Sequence, residues 1–505
     1  MVDPQERPQR LLFPAWLFLG CMLLCGIASA APSITLSKTS GPPTSKILVS
    51  GRGFESNVGV DIYFGTKDET LVVTNDQGDF HNAAVYAPRG ARPGEHWITA
   101  LERNNDKGAQ ELFLVQTDWG QFSFTPDHDG LNPYENVLNL STVGSLQLKW
   151  SFPAGSGVSS PAVASGVVYI GSLDPEDKVY ALDARTGAKL WSYTTGNSVL
   201  SSPAVANGVV YVGSFDDSVY ALDARTGAKL WSYTTGRTVE SSPAVASGVV
   251  YVGSYDDNVY ALDARTGAKL WSYTTGDPVT GSPAMANGVV YAGSNDGNLY
   301  ALKARTGAKV WSYFAGGYDV GTPTVADGIV YGVVAEEIFA LNASTGAFLW
   351  SYTTGSVVRA SAAVANGVVY VGSDDFNVYA LDARTGSKRW SYTTGSSVES
   401  SPAVANGVVY VGSFDNSVYA LDARTGALQW SYLTGSWVHS SPAVADGVVY
   451  IGSDDNVYAF GLAGESRDGA AKQKATPKRP DARMLRPDFN LRVSKPGARA
   501  SGAEH

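Results

Sequence analysis

Tryptophan recurs eight times at almost constant spacing. Trp150, Trp191, Trp231, Trp271, Trp311, Trp350, Trp390 and Trp430 lie 41, 40, 40, 40, 39, 40 and 40 residues apart. A period of about 40 residues belongs to a propeller blade or a helical repeat, and each unit buries its apolar face against the next. The content of the unit excludes helix. A copy beginning at Ser201 reads SSPAVANGVVYVGSFDDSVYALDARTGAKLWSYTTG. Its VVYVG and SVYAL runs are β-branched and aromatic, and Asn207-Gly208, Asp216-Asp217 and Thr226-Gly227 are turn pairs. The unit is expected to form four short strands (SPAVA, VVYVGS, SVYALDA and KLWSYTTG), the content of one blade.

Copy counting separates a closed ring from an open stack. The SPAV-type segment also occurs eight times, at Pro161, Pro203, Pro243, Pro283, Pro323, Ala362, Pro402 and Pro442. The two sets are offset. A tryptophan strand, LQLKWSFPAG around Trp150, precedes the first SPAV segment, and none follows the last, which ends VYAFGLAG near Gly464. The early strand is therefore expected to complete the final blade, leaving no open sheet edge. The fold class is all-β: an eight-bladed propeller of four-stranded blades over 146–463, with this velcro closure. An open solenoid would need polar capping units, which are not evident.

Residues 32–116 read as a small β-sandwich. ILVSGRGF, VDIYFG and EHWITALE alternate as half-buried strands between turns. Residues 117–145 form a lead-in. Residues 1–30 read as a signal peptide: Arg7 and Arg10 precede the apolar run Leu11 to Ile27, and Ala28-Ser29-Ala30 is an A-x-A cleavage site. That run contains Pro14 and is short for a membrane span. The exported chain is expected in the periplasm or outside the cell, not membrane-spanning after cleavage, and monomeric. Both cysteines, Cys21 and Cys25, lie in the signal, so no disulfide or thiolate chemistry is expected afterwards. The tail 464–505 carries ten Lys+Arg against five Asp+Glu and is expected to be disordered. The whole chain of 505 residues has a net charge of −10, which argues against nucleic-acid binding.

The unit ALDARTGAKLW resembles the tryptophan-docking motif of the pyrroloquinoline-quinone (PQQ) propeller repeat superfamily. That superfamily includes quinoprotein dehydrogenases and the propeller lipoprotein of the outer-membrane β-barrel assembly machine. The likeness covers 117–463, including the lead-in DWGQFSFTPDHDGLNPYENVL. It implies that each tryptophan wedges between adjacent blades. The aspartates Asp183, Asp223, Asp263, Asp382 and Asp422 are expected to cap the Thr-Gly turn that follows, with Lys303 and Asn342 as departures. The N-terminal stretch resembles an IPT/TIG-like immunoglobulin-type module.

Strand order assigns the loops to two faces. The RTGAK turns, with Arg185, Arg225, Arg265, Arg305, Arg384 and Arg424, share one face. Acidic loops such as FDDS, YDDN and DDFN share the other, as turn formers or as a surface for cations or basic partners. Within near-identical units, the position three before each repeat proline varies: Val158, Leu200, Glu240, Thr280, Val320, Arg359, Glu399 and His439. A ring of these side chains is expected at the channel mouth on the acidic face, with Trp437 nearby. Glu240, Arg359, Glu399 and His439 are the candidate ligand residues.

Three functions are weighed. The first is an exported binding or scaffolding module with a protein or envelope-component partner, no cofactor, no metal and no enzymatic activity. The second is a PQQ- and calcium-dependent quinoprotein oxidoreductase. The resemblance implies for it a vicinal disulfide, a catalytic Asp and a calcium-binding Glu/Asn set on divergent blades. The third is a scaffold subunit of outer-membrane assembly. Uniform blades, an absent disulfide and dispersed histidines (His81, His96, His128, His439) favour the first, since an active site needs convergent, differing groups. Blade five, with Glu336, Glu337 and Asn342, is the most divergent.

Overall fold

The computed structural model describes residues 31–173 and 175–464. The expected signal peptide with Cys21 and Cys25, and the tail from residue 465, lie outside the described residues. The repeat forms eight sheets around one axis. In the second blade the strands are Ala204–Ala206, Val209–Gly213, Ser218–Asp223 and Lys229–Thr234, paired antiparallel in that order. The innermost strands are short runs of Ala, Val, Met or Thr, because eight of them converge where space is least. The last blade is composite. Leu146–Pro153 pairs antiparallel with Asn456–Leu462, and Trp150 lies opposite Ala459 just as Trp231 lies opposite Ala221. The ring of eight therefore closes as the offset of the two repeat sets predicts.

Each blade is stapled to the next by its tryptophan. Trp231 Nε1 donates to the Ala264 carbonyl of the following blade at 3.0 Å, and Tyr211 Oη donates to the same oxygen at 3.0 Å. The indole lies against Gly267 in the next turn. That turn is capped as expected: Asp263 Oδ1 accepts from Arg265 N (3.1 Å), Thr266 N (2.8 Å) and Thr266 Oγ1 (2.7 Å). Asn342 does the same work in blade five. Lys303 has no side-chain acceptor, so its turn loses the Asp-type cap and keeps backbone bonds such as Thr306 N to Lys303 O, with Ala308 N donating to Thr306 Oγ1. Tyrosine pairs such as Tyr233–Tyr260 pack blade against blade further out.

The acidic loops are struts as well as turns. Asp256 Oδ2 accepts from Gly236 N of the preceding blade (2.5 Å) and from Tyr260 Oη (2.7 Å), while Oδ1 accepts from Asn258 N. Asp216, Asp296, Asp375 and Asp415 repeat this arrangement. These carboxylates therefore tie neighbouring blades together.

Ahead of the ring, a three-stranded sheet (Ser33–Leu36, Lys46–Arg52, Phe80–Tyr86) faces a five-stranded one containing Gly59–Phe64, Gly94–Glu102 and Gly108–Val115. Ile47, Ile62, Ile98 and Phe113 are fully buried between them.

Candidate functional site

The lead-in closes one end of the channel. Residues 119–132 run around the inner rim and bond to the innermost strand of every blade in turn. Trp119 bridges Val163, and the amides of Val205, Met285, Val325, Val364 and Val404 donate to the carbonyls of Gly120, Pro126, Asp127, Asp129 and Gly130. Gln121 makes a two-way amide pair with Val245, and Asn132 Nδ2 reaches Val444 O at 2.8 Å. The segment lies at the RTGAK end, where Asp118 Oδ1 accepts from Ser165 N and Asp446 Oδ1 from Thr117 N. His128 is fully buried there, with Nδ1 3.3 Å from Pro323 O and Nε2 without a partner. Burial lowers its pKa to about 4. Burial also raises Asp129 to about 6, and the nearby Asp127 carboxylate pushes in the same direction.

The opposite end is the candidate site. Just inside the acidic face, a ring of serines ties blade to blade. Ser202 N donates to Ser242 Oγ, Ser361 N to Ser401 Oγ and, across the seam, Ser441 N to Ser160 Oγ. Immediately outside it stand the variable side chains. Four of them meet a second variable position in their own blade, 15 residues later. Tyr255 Oη donates to Glu240 Oε2 at 2.6 Å. Thr280 Oγ1 donates to Asn295 Oδ1 at 3.0 Å. Arg359 Nε donates to Asp374 Oδ2 at 3.1 Å and lies 3.5 Å from Glu399 of the next blade. His439 Nδ1 is 3.0 Å from Asp454 Oδ1. The backbone sets these meetings: the amides of Tyr255, Asn295, Asp374 and Asp454 donate to the carbonyls of Thr238, Pro278, Val357 and Trp437.

Arg359 and Glu399 are thus brought together, and His439 lies beside an aromatic platform. Phe414 stacks on Trp437 at 5.4 Å with their planes 2° apart, and Trp437 is 55% exposed. Glu240 stands apart, in blade three. Burial lifts the Glu399 carboxyl above its ordinary value, the Asp374 charge adds to this, and Arg359 opposes it. Such a surface, with paired polar groups and an exposed indole, suits recognition through charge and aromatic contact.

Two members of the expected ring are not in it. Val158 and Val320 are fully buried, and Val158 packs over Gly452 as Val199 packs over Gly171 and Val239 over Gly213. Blades one and five lack the variable residue, so counting back from proline reached a core valine instead. The partner column of Tyr255, Asn295, Asp374 and Asp454 was missed. Its signal was present: these positions vary at a fixed offset from the first column, while their neighbours repeat.

Residues 137–352 and 334–484 match the PQQ-type repeat family described as outer membrane protein assembly factor BamB. A curated relative, lupanine 17-hydroxylase [cytochrome c] from a Pseudomonas species, is 47% identical over 60 residues, covering 11% of this chain and 8% of the relative. The chain thus spans a small fraction of that relative's length. Two solved structures share the fold. Quinohemoprotein alcohol dehydrogenase from Comamonas testosteroni is 19% identical, with TM-score 0.59, over 71% of this chain and 82% of that one. BamB from Moraxella catarrhalis is 22% identical, with TM-score 0.54, over 63% of this chain and all of that one. These relatives correct the expectation that the chain is not an enzyme, because a hydroxylase and a dehydrogenase stand beside the assembly factor. The carboxylates of the described mouth nevertheless do not fit a calcium site. Calcium takes six to eight oxygen ligands, and the described residues contain no group of three or more His, Cys, Asp or Glu placed to hold a metal. The mouth carboxylates are already engaged: Asp374 and Glu399 by Arg359, Asp454 by His439, and Glu240 by Tyr255.

Proposed function

The chain belongs to the PQQ-type repeat family of the outer membrane assembly factor BamB, and from that premise we propose that it is an exported, envelope-associated propeller that binds a partner protein at its acidic-face mouth. The observation that carries this reading is the confinement of variation. Blades repeat almost residue for residue, whereas Glu240, Thr280, Arg359 and His439 change together with the groups they bond. A scaffold with no interaction at this rim has no need of four different bonded pairs. The reading of 32–116 as an immunoglobulin-type module accords with an envelope role. The test is capture of partners from envelope extracts by wild type, Arg359→Glu, Trp437→Ala and, on the opposite face, Arg225→Ala. Loss of the wild-type partner with the first two variants alone supports the mouth. An identical catch from all four proteins refutes it.

A second reading, oxidoreductase chemistry, is favoured by the segment resembling lupanine 17-hydroxylase. It predicts dye-linked oxidation of alcohols by protein supplied with PQQ and calcium, and turnover no higher than in a protein-free control rejects it.

A further inference from the structure

A second cavity lies on the other side of the ring, and the mouth does not involve it. It has a volume of about 570 Å³ and is walled by the first module, the lead-in and the inner turns of blades six and seven. Its size falls within the range of small-molecule sites, and boundaries between modules are a preferred location for them. The wall is polar. Asn136 lines it. Its Nδ2 donates to Ala91 O of the first module at 2.8 Å, which fixes the amide orientation, and its Oδ1 is buried with no partner. That oxygen is shut off from the cavity, so the cavity's ligand-facing polar groups are the others in the wall.

Other groups lining the cavity have unused capacity. Asn406 spends its Nδ2 on Leu138 O, leaving its carbonyl oxygen. Asn366, Thr44, the Tyr134 hydroxyl and the Arg89 guanidinium make no side-chain hydrogen bond among the described residues. Glu135, the acid in the wall, is saturated: Oε1 accepts from Val137 N and Leu138 N, and Oε2 from Gly447 N. Among the described residues Arg89 is therefore the wall's uncompensated charge. Amides that both donate and accept match vicinal hydroxyls, the Tyr134 ring offers a face for C–H edges, and an unpaired guanidinium takes a carboxylate in a forked geometry.

We propose that this inter-module cavity binds a uronic-acid saccharide, with Arg89 on its carboxylate and Asn366, Asn406 and Tyr134 on its hydroxyls. A peptide with a free terminal carboxylate shares the Arg89 contact and is the competing ligand; what it lacks is the run of vicinal hydroxyls that distinguishes a sugar ring.

The probes are methyl glucuronide, uncharged methyl glucoside and a short acetylated peptide with a free C-terminus. Each is titrated into the exported protein and followed by saturation-transfer NMR and calorimetry. The uronide is expected to bind, the glucoside about tenfold more weakly or worse, and the peptide not at all. Arg89→Ala should reduce uronide affinity to the glucoside level. Asn366→Ala should weaken both sugars. Arg89 and Asn366 are exposed, so both variants should keep the wild-type melting temperature. Uronide binding that is absent, or unchanged in Arg89→Ala, or outcompeted by the peptide, overturns the proposal. The mouth plays no part in this test, so its outcome is independent of the partner-binding experiment.

Discussion

Gly248 and Gly267 form a matched pair within one blade. Both have left-handed backbone, with φ of +79° and +73°. A Cβ at Gly248 meets nothing within 4 Å, whereas at Gly267 it would come 2.7 Å from the Trp231 ring. Alanine at either position incurs the left-handed conformation, about 1–2 kcal/mol. At Gly267 it also drives the indole outward by about 1 Å to restore ordinary carbon contact. That displacement misaligns the Trp231 Nε1 bond to Ala264 O. Overpacking of this kind costs a further ~1–3 kcal/mol. Gly267→Ala should therefore destabilise by about 2–5 kcal/mol and Gly248→Ala by only about 1–2 kcal/mol. Urea unfolding followed by tryptophan fluorescence and circular dichroism measures both. In a Trp231→Ala background the excess should vanish, giving a coupling of about 1–3 kcal/mol. Equal costs for the two glycines, or an excess that survives removal of the indole, would refute the stapling account.

Tyr331 Oη bonds Ala383 O at 3.2 Å, whereas Tyr410 Oη is buried with no partner. Tyr331→Phe should cost about 1 kcal/mol and Tyr410→Phe should be neutral or stabilising, as urea midpoints will decide. Replacing Glu135 by leucine removes the acceptor of three backbone amides and should cost about 3 kcal/mol or more, measured the same way. In the lead-in, His128 falls to about 4 and Asp129 rises to about 6, so their linkages oppose. Folded His128 binds fewer protons than the unfolded chain between about pH 4 and 6.5, so it makes stability rise with pH there. Folded Asp129 binds more between about pH 4 and 6, so it makes stability fall. Asp129→Asn should expose the rising slope and His128→Gln the falling one; denaturant midpoints at pH 4.5 and 6.5, chosen about the ends of that window, report the sign.

The ring was legible because its determinants are local and repeated. A tryptophan every 40 residues, an aspartate placed to cap the following turn, and Ala-Val-Ala runs short enough for the axis each follow from the unit's own chemistry. Closure was legible from the offset between Trp150 and Pro161. The path of the lead-in was not. Residues 119–132 contain Gly, Pro, Asp and Asn without strand or helix periodicity, and their order comes from eight separate partners far away in sequence. The mouth was half legible. The first variable column was seen, but its alignment failed at Val158 and Val320, where a missing residue slides a core valine into register. The partners of that column were hidden because the 15-residue offset is a property of the blade's backbone ties, not of any motif.

A near-symmetric ring offers the same surface eight times over, so recognition of one partner needs asymmetry that does not loosen the ring. The structure supplies it in two places that leave the staples untouched. On the acidic face, differing side chains project from positions already fixed by the serine ring and by the backbone bonds of the partner column. Because Glu240 is held by Tyr255 and Arg359 by Asp374, these groups have less rotamer freedom to lose on binding than free surface charges. On the opposite face, the lead-in fills the inner rim and the first module adds a wall that no repeat could provide, creating a cavity beside blades six and seven. The lead-in stands between the two, bonded to all eight inner strands. A ligand on one face can therefore influence the other only by moving a segment that every blade holds in place, and the two surfaces should bind independently.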